Sequence, residues 1–152
     1  MIHVYNAREA HIPDILKIER SAFAVPWTEG TLIGMLYRED VCFAVASGGA
    51  GALGFVILQA GGGESELYQI ASRPDARRNG VASLLLDRAV DFARARTSER
   101  IFLEVRENNR AARNFYEKHG FAAVGRRRNY YADPIEDAVI MSKKLTANEE
   151  TP

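Results

Sequence analysis

Strand-like and helix-like segments alternate along the whole of this 152-residue chain, and no linker divides them. A chain of this length folded as one domain buries roughly two thirds of the surface that its unfolded form exposes. We therefore predict a single domain over residues 1–145 and an α/β fold. Helices should flank a mixed, mostly antiparallel sheet in the order β-α-α-β-β-β-α-β-α-β-β. The polar, acidic residues 146–152 are expected to form a frayed C-terminal tail.

Hydrophobic periodicity, together with the glycine and proline positions, places the individual elements. Glycine clusters separate three strands at residues 41–47, 52–59 and 65–72, which predicts antiparallel hairpins. Thr28 is expected to cap a short second helix. The most regular helix, residues 80–96, should pack on the sheet through an apolar stripe of Val81, Leu84, Leu85, Ala89, Phe92 and Ala93. The other predicted elements are strands at residues 2–5, 101–106, 121–130 and 136–145 and helices at residues 12–23 and 109–119.

Charge and composition restrict the class of protein. Lys plus Arg and Asp plus Glu each number 20, and the resulting net charge of zero argues against binding to bulk nucleic acid. The single cysteine, Cys42, lies in the apolar run VCFAVA and is expected to be a core residue. The N-terminal residues lack the pattern of a secretion signal, and no apolar run approaches the roughly 18 residues that span a bilayer. We expect a cytoplasmic protein that uses neither a membrane nor a metal.

The stretch QIASRPDARRNGVA is typical of a loop that holds a pyrophosphate against the start of a helix. It leaves an apolar strand, turns at Pro74, carries Arg77 and Arg78, and reaches Gly80 where the long helix begins. The first N–H groups of a helix lack helical partners and the helix dipole adds partial positive charge, so a phosphate is favoured there. From these residues alone, a solvated arginine-rich turn is an equal alternative.

Two further side chains are candidates for chemistry near this loop. Glu104 lies between apolar residues in the alternating strand IFLEVR, so we expect it to be partly buried. Burial raises the pKa of a carboxylate and makes it a better base near neutral pH. A surface ion pair of Glu104 with Arg106 or Arg100 is an equal alternative. Tyr116 lies in the following helix, where a core aromatic is the alternative to a proton donor.

Three segments, RRNGVA, LEVRENNRAARNFYEKHGF and RRNYY…EDAVIM, together resemble the GNAT family of acetyl-CoA-dependent N-acetyltransferases. Within that family they are similar to the RimI-type ribosomal-protein-alanine N-acetyltransferases. The resemblance covers nearly the whole chain, including IERSAF and PWTEGTL near its start. It implies acetyl-CoA as cosubstrate and the N-terminal alanine of a small-subunit ribosomal protein as acceptor. We expect a monomer or a weak dimer.

The resemblance also implies which residues bind the cofactor. The pyrophosphate motif Arg-x-x-Gly-x-Ala matches Arg77, Gly80 and Ala82, and the family's Asn followed seven residues later by Tyr matches Asn109 and Tyr116. The implied cofactor-binding residues are Ile70, Ala71, Ser72, Arg77, Arg78, Asn79, Gly80, Val81, Ala82, Asn109 and Tyr116.

The catalytic roles follow from the same resemblance. Glu104 is the implied general base and Tyr116 the implied general acid, and the backbone N–H of Ile70 is expected to polarise the thioester carbonyl. Glu66 on the central strand is a second candidate for the base. The residues expected to line the acceptor site are Trp27, Glu66, Tyr130 and Tyr131.

Other functions compatible with the sequence are kept as alternatives. A GNAT enzyme that acetylates a small amine or another protein N-terminus is the first. A domain that senses acetyl-CoA without turnover is a second, although the presence of both Glu104 and Tyr116 argues against it. A nucleic-acid module based on Arg126, Arg127 and Arg128 is a weaker alternative, since such a charge run usually forms a solvated surface.

Overall fold

The computed structural model describes residues 1–49 and 51–145, and its helices and strands follow the predicted order. Each element whose two ends were predicted begins and ends within two residues of its expected bounds. The tail at residues 146–152 lies outside the described residues. In chain order the elements are β1 (His3–Asn6), α1 (Ile12–Ala22), α2 (Glu29–Leu36), β2 (Val41–Ser47), β3 (Ala52–Gly61), β4 (Glu64–Ser72), α3 (Val81–Ala95), β5 (Arg100–Arg106), α4 (Arg110–Lys118), β6 (Ala122–Tyr131) and β7 (Glu136–Lys144).

One seven-stranded sheet with the strand order β1-β2-β3-β4-β5-β7-β6 carries the helices. Among the described residues every strand pair is antiparallel except β4 with β5, which α3 connects as a crossover. The parallel pairing consists of three residue pairs and ends at Glu66 and Phe102. Beyond that point, Leu67–Ser72 pairs with β3 alone and residues 103–106 pair with β7 alone. The two central strands therefore diverge and leave a cleft in the middle of the sheet.

A β-bulge in β4 lies at the point where the strands diverge. Ile57 and Leu58 of β3 face Gln69 and Leu67 of β4, so Tyr68 is the inserted residue. A bulge bends and twists its strand, which accounts for the departure of β4 from β5. It also changes the alternation of side chains, because both Tyr68 and Gln69 face the side of α1.

Two apolar clusters cover the two faces of the sheet. α3 and α4 cover one face, where Leu85 and Leu86 pack with strand residues such as Ile101. α1 and α2 cover the other face, where Ile15 and Leu32 pack with strand residues that include Phe55. Burial of each such side chain contributes about 1.5–3 kcal/mol. Together the two clusters hold one helical layer on each face of the sheet. The cleft lies between β4 and β5.

The predicted apolar stripe of α3 is wrong at one position. Leu84 is 40% exposed, whereas Leu86 is buried. The helix packs closely on β3 at Gly54, where a Cβ atom would lie 3.0 Å from Val81 Cγ1 and 3.2 Å from Leu85 Cδ1. This contact sets the rotation of α3 and places Leu84 at the rim of the sheet.

Two smaller predictions about the scaffold, the Thr28 cap and the core position of Cys42, are confirmed. The Thr28 hydroxyl accepts a hydrogen bond from Thr31 N at 3.2 Å and so caps α2. Cys42 belongs to the core, and burial raises the pKa of its thiol to about 11. Within residues 1–49 and 51–145, the helices are too short or too polar to cross a membrane.

Candidate active site

The start of α3 borders a cavity of about 270 Å³. Both arginines of the predicted phosphate loop, Arg77 and Arg78, line it, and Ser72 at the end of β4 closes one side. The predicted Gly80, Val81 and Ala82 also line this cavity, whereas Asn79 is not among its lining residues. The loop and the helix start thus form one recess with two cationic side chains, which we name the phosphate pocket.

The backbone of α3 leaves donors free in this pocket. The first helical bond runs from Leu84 N to Gly80 O at 3.1 Å, and no side chain caps the helix. The N–H groups of Val81, Ala82 and Ser83 therefore lack helical partners. Gly80 has φ +80°, a left-handed conformation that glycine adopts without steric cost. An anion can approach these N–H groups closely, as a pyrophosphate requires.

α4 supplies the opposite wall of the phosphate pocket through Phe115. His119 Nε2 lies 3.1 Å from Ser83 Oγ, and His119 Nδ1 lies 2.9 Å from Phe115 O. Because a carbonyl accepts, Nδ1 carries a proton in this arrangement. The contact ties the first turn of α3 to the end of α4.

A groove of about 450 Å³ lies on the α1 and α2 face of the sheet, beside the cleft. Four separate parts of the chain build it: the connection from Phe23 to Trp27, residues 66–69 of β4, the end of β5, and the turn after Tyr130. All four predicted acceptor-site residues, Trp27, Glu66, Tyr130 and Tyr131, line this acceptor groove.

Aromatic side chains form two walls of the acceptor groove. Trp27 packs edge-on against Tyr68 at 5.9 Å between ring centroids, and the Tyr68 hydroxyl donates to the Gln59 side chain. On the other side Tyr130 and Tyr131 pack at 5.1 Å between centroids. The sequence did not indicate the contribution of Tyr68, because its inward direction depends on the bulge.

Arg106 fixes the second aromatic wall. Its guanidinium lies over the Tyr131 ring, 4.4 Å from the centroid, and donates to Ala132 O at 3.0 Å. It also pairs with Glu136 at 3.1 Å. Arg106 therefore makes its hydrogen bonds and its ion pair with residues at the β6–β7 turn, and it is not the partner of Glu104.

Glu104 and Glu66 both point into the acceptor groove. Glu104 is mostly covered, with 18% of its side chain exposed, and it forms an ion pair with Arg127. An ion pair at the sheet surface was one of the two expectations for Glu104, but the named partners, Arg106 and Arg100, are wrong. Arg127 lies in β6, which pairs with β7 and not with β5. It is also 23 residues away from Glu104 in the chain, so the local sequence pattern did not indicate this pair.

The Glu66 carboxylate differs from that of Glu104 in its surroundings. Burial, followed by the negative charge of Glu104, raises the pKa of Glu66, while Arg127 partly opposes that shift. The Tyr130 hydroxyl interacts with Glu104, and this interaction is the main reason that the pKa of Tyr130 is raised. The groove thus holds two carboxylates, one with a cationic partner and one without a direct partner of that kind among the described residues.

The two glutamates also line a second cavity, of about 640 Å³, that continues the acceptor groove along β4 and β5. Glu64, Gln59 and Phe102 border it together with Glu66 and Glu104. The accessible space beside the carboxylates is therefore long, and it extends past the groove in the direction of the β3–β4 turn.

Tyr116 lies on the other face of the sheet, in the cluster under α3 and α4. Its ring contacts Phe115 and Phe121, with centroids at 5.5 and 5.6 Å. Burial and then the nearby Tyr131 raise the pKa of Tyr116 well above its usual value. Tyr116 therefore keeps its proton at neutral pH, and it lines neither the phosphate pocket nor the acceptor groove.

Asn109 forms the N-cap of α4. Its Oδ1 accepts a hydrogen bond from Ala112 N at 3.1 Å. A cofactor contact through the rest of the side chain remains a prediction. No group of three or more His, Cys, Asp or Glu side chains that might hold a metal lies in the part of the chain that the structure describes.

Residues 7–121 match the family described as "Acetyltransferase (GNAT) family". The chain belongs to the GNAT family. It is 37% identical over 137 residues to the [ribosomal protein bS18]-alanine N-acetyltransferase of Escherichia coli K12, covering 89% of this chain and 92% of that protein. The crystal structure of the ribosomal-protein-S18-alanine N-acetyltransferase from Escherichia coli matches with a TM-score of 0.87 at 32% identity, over 100% of this chain and 99% of that one.

A more distant structure shares the fold. The NatC complex bound to Gag peptide and CoA matches with a TM-score of 0.84 at 22% identity, over 95% of this chain and 99% of that one. The GNAT fold uses acetyl-CoA, and the chain is an acetyl-CoA-dependent N-acetyltransferase. The GNAT resemblance and the mixed α/β fold inferred from the sequence are thereby confirmed.

The GNAT geometry brings together most of the residues singled out from the sequence. One group lines the phosphate pocket and another the acceptor groove, whereas Tyr116 lies in the core next to Phe115. Ile70 and Ala71 lie in β4 between the two and line neither. Polar and aromatic residues of the three cavities that the sequence reasoning missed include Gln59, Tyr68, Gln69, Ser83, Phe115 and Arg127.

The arginine run of β6 is largely neutralised in this GNAT structure. Arg126 pairs with Glu107 at 2.7 Å and with Asp137 at 3.2 Å, and Arg127 pairs with Glu104. These pairs oppose the alternative of a nucleic-acid surface based on this run, because a phosphate would have to compete with carboxylates already in place.

Proposed function

We propose that this enzyme transfers the acetyl group of acetyl-CoA to the α-amine of an N-terminal alanine on a small-subunit ribosomal protein, in a ternary complex. The observation that carries the proposal is the acceptor groove, where two carboxylates and aromatic walls meet beside the central cleft. The two Escherichia coli relatives, which by name acetylate alanine of bS18 or S18, support this choice of acceptor.

The chemistry of amines favours an N-terminus over a lysine. An α-amine with a pKa near 7.7–8.0 is roughly one-tenth neutral at pH 7, whereas a lysine amine near 10.4 is neutral in less than about one molecule in a thousand. Only the neutral amine attacks a thioester. A groove that offers carboxylates as bases therefore suits an α-amine.

Glu104 is the proposed base and receives the amine proton through a water molecule. Tyr116 is the proposed donor to the departing thiolate, since its phenol stays protonated at neutral pH. The Ile70 N–H is the proposed donor to the thioester carbonyl. Glu66 lies in the same groove, and its raised pKa makes it the second candidate for the base.

Acetyl-CoA supplies the activated acetyl group, and the phosphate pocket fits its pyrophosphate. Arg77 and Arg78 would bind the phosphate charge, and the first-turn N–H groups of α3 would donate to its oxygens. Asn79, Ala71 and Ser72 would flank the bound cofactor, and Asn109 would support the pantetheine arm or α4. We infer that the enzyme acts in the cytoplasm as a monomer or weak dimer, without nucleic acid or membrane.

The proposal is tested with hexapeptides and acetyl-CoA, read by mass spectrometry. A peptide that begins with Ala should be acetylated at its α-amine, roughly 300-fold faster at pH 7 than a peptide with a blocked N-terminus and an internal Lys, from ionisation alone. Small amines such as spermidine serve as the control acceptors. Equal or faster lysine acetylation, or a preference for the small amine, would contradict the proposed acceptor and leave the family assignment intact.

A further inference from the structure

A carboxyl group is buried in the wall of the acceptor groove. Glu19 lies near the end of α1 and has 0% exposure. Its Oε1 accepts from Trp27 N at 2.9 Å and from Gln69 Nε2 at 3.3 Å. Trp27 and Gln69 both line the groove, one from the α1–α2 connection and one from the bulged part of β4. Glu19 thus joins two walls of the groove from behind.

Two buried oxygens at this contact have no hydrogen-bond partner among the described residues: Glu19 Oε2 and Gln69 Oε1. Both are acceptors when the carboxyl is ionised, and a buried acceptor without a donor is costly. A neutral carboxylic acid and a primary amide can form a cyclic pair with two hydrogen bonds. The observed bond from Gln69 Nε2 to Glu19 Oε1 is the first, and the second would join the two oxygens that lack partners.

We propose that Glu19 is protonated in the folded protein, donates from Oε2 to Gln69 Oε1, and positions the Trp27 wall of the acceptor groove through this neutral pair. One proton satisfies both oxygens, and no other group has to move into the core. Glu19 is a positioning residue, since it contacts the wall and not the reacting atoms.

The electrostatic surroundings agree with a neutral acid. Burial raises the pKa of Glu19, while its two hydrogen bonds oppose the shift. The α1 and α2 face around it is apolar, with Phe43, Phe55 and Ile57 from the sheet. Charged groups of the groove that Gln69 lines are Glu66, Glu104 and Arg106, and among the described residues none has a hydrogen bond or ion pair with Glu19. Lys17 and Arg20 of α1 are exposed.

This arrangement gives the stability of the fold a defined pH dependence. The carboxyl holds its proton more tightly when folded, so its contribution is fully present below the ordinary value of 4.5 and is lost as the pH rises through the folded pKa. Above that pKa, a carboxylate would face the Gln69 carbonyl in the core. The wall that carries Trp27 would then be held less well.

Glu19→Gln tests the protonated state, because glutamine copies the neutral acid: its oxygen accepts and its N–H donates to Gln69 Oε1. The melting temperature is measured from pH 5 to pH 8 for wild type, Glu19→Gln and the exposed control Glu39→Gln. Between the unfolded and folded pKa values of Glu19, the wild type should lose stability as the pH rises and Glu19→Gln should not. The melting temperature of Glu19→Gln relative to that of the wild type should therefore rise by roughly 3–6 °C for each pH unit in this range. Glu39→Gln should track the wild type. A difference independent of pH would overturn the proposal.

A kinetic arm tests the positioning role and rests on the proposed acceptor. With the Ala-initiated hexapeptide, Glu19→Gln should keep the wild-type KM at pH 7, and Glu19→Ala should raise it several-fold with the affinity for acetyl-CoA unchanged. If Glu19→Gln raises KM as much as Glu19→Ala does, Glu19 acts as an anion and the proposal is wrong. If no peptide is acetylated, the proposed function fails, and the melting temperatures alone decide the protonation state.

Discussion

The phosphate pocket and the acceptor groove are built in opposite ways. All but one of the residues lining the pocket come from residues 72–83, and its donors are backbone N–H groups at one helix start. The groove takes side chains from four distant parts of the chain, and nearly all of its chemistry resides in them. A backbone site tolerates most side-chain changes except at its glycine, whereas a side-chain site changes specificity with each replacement. Binding of the cofactor is thus expected to be robust, and choice of the acceptor easily altered.

Charge separates the two regions as well. The pocket holds Arg77 and Arg78, and none of the described residues that line it is acidic. The groove holds Glu66 and Glu104, which suit an amine that becomes positively charged on attack. β4 contributes to both environments: Ser72 at its end lines the pocket, and residues 66–69 line the groove. The anionic part of the cofactor and the attacking amine are thus expected to contact surfaces of opposite charge.

The largest expected effect is in the groove. Glu104→Gln should lower kcat by roughly ten- to a thousandfold, the lower end because an α-amine loses its proton easily and the upper end from the usual range of general-base catalysis. Glu66→Gln should have a smaller effect. Steady-state kinetics on both folded variants decide the matter. An inactive Glu66→Gln with a near-normal Glu104→Gln would transfer the role of base to Glu66.

In the pocket, Gly80→Val should weaken acetyl-CoA binding by roughly a hundredfold, measured by calorimetry. A valine at this position blocks the approach of a phosphate to one or two N–H groups, each worth about 1.5–3 kcal/mol to a charged ligand. The matched control is Gly62→Val in the β3–β4 turn, since Gly62 has a similar φ of +63° and also open space around it. Both variants should lose comparable stability, and Gly62→Val should bind acetyl-CoA normally. Unchanged affinity in a folded Gly80→Val protein would refute the pyrophosphate assignment.

In the core next to Phe115, Tyr116→Phe should lower kcat roughly tenfold or more, because it removes one hydrogen bond to a charged leaving group. The dissociation constant of acetyl-CoA should stay the same, since the ring and its packing are retained. Single-turnover rates and equilibrium binding separate these effects. A rate equal to that of wild type would reduce Tyr116 to a core aromatic, the alternative that the sequence allowed.

The smallest expected effect concerns the influence of Arg127 on the carboxylates of the groove. Arg127 lowers the pKa of Glu66, so Arg127→Gln should raise it. If Glu66 acts as the base, it must be ionised, and the acid limb of the pH profile of kcat/KM should move to slightly higher pH, because a partly exposed charge pair is a weak interaction. Arg126→Gln is the control, since Arg126 pairs with Glu107 and Asp137 outside the groove. An unmoved limb would show that Glu66 does not titrate in this step.

Local patterns were sufficient to locate most of the phosphate pocket. Gly80, the two arginines and the helix start are neighbours in the chain, so their proximity required no knowledge of the fold. The prediction that Leu84 packs on the sheet is wrong, because that contact depends on residues far apart in the chain. The rotation of α3 depends on its contact with Gly54, which lies in another hairpin. Likewise Arg127 became the partner of Glu104 only through the strand order β5-β7-β6.

By itself the sequence determined the order of helices and strands, the position of the arginine-containing loop before α3, the core location of Cys42 and the resemblance to GNAT enzymes. Each of these depends on residues close together in the chain, where spacing and local propensity decide the outcome. The tertiary structure alone decided the bulge at Tyr68, the cleft between β4 and β5, the Glu104–Arg127 pair and the buried contact of Glu19 with Gln69. These features join residues that are far apart in sequence, and only strand register and helix rotation bring them into contact.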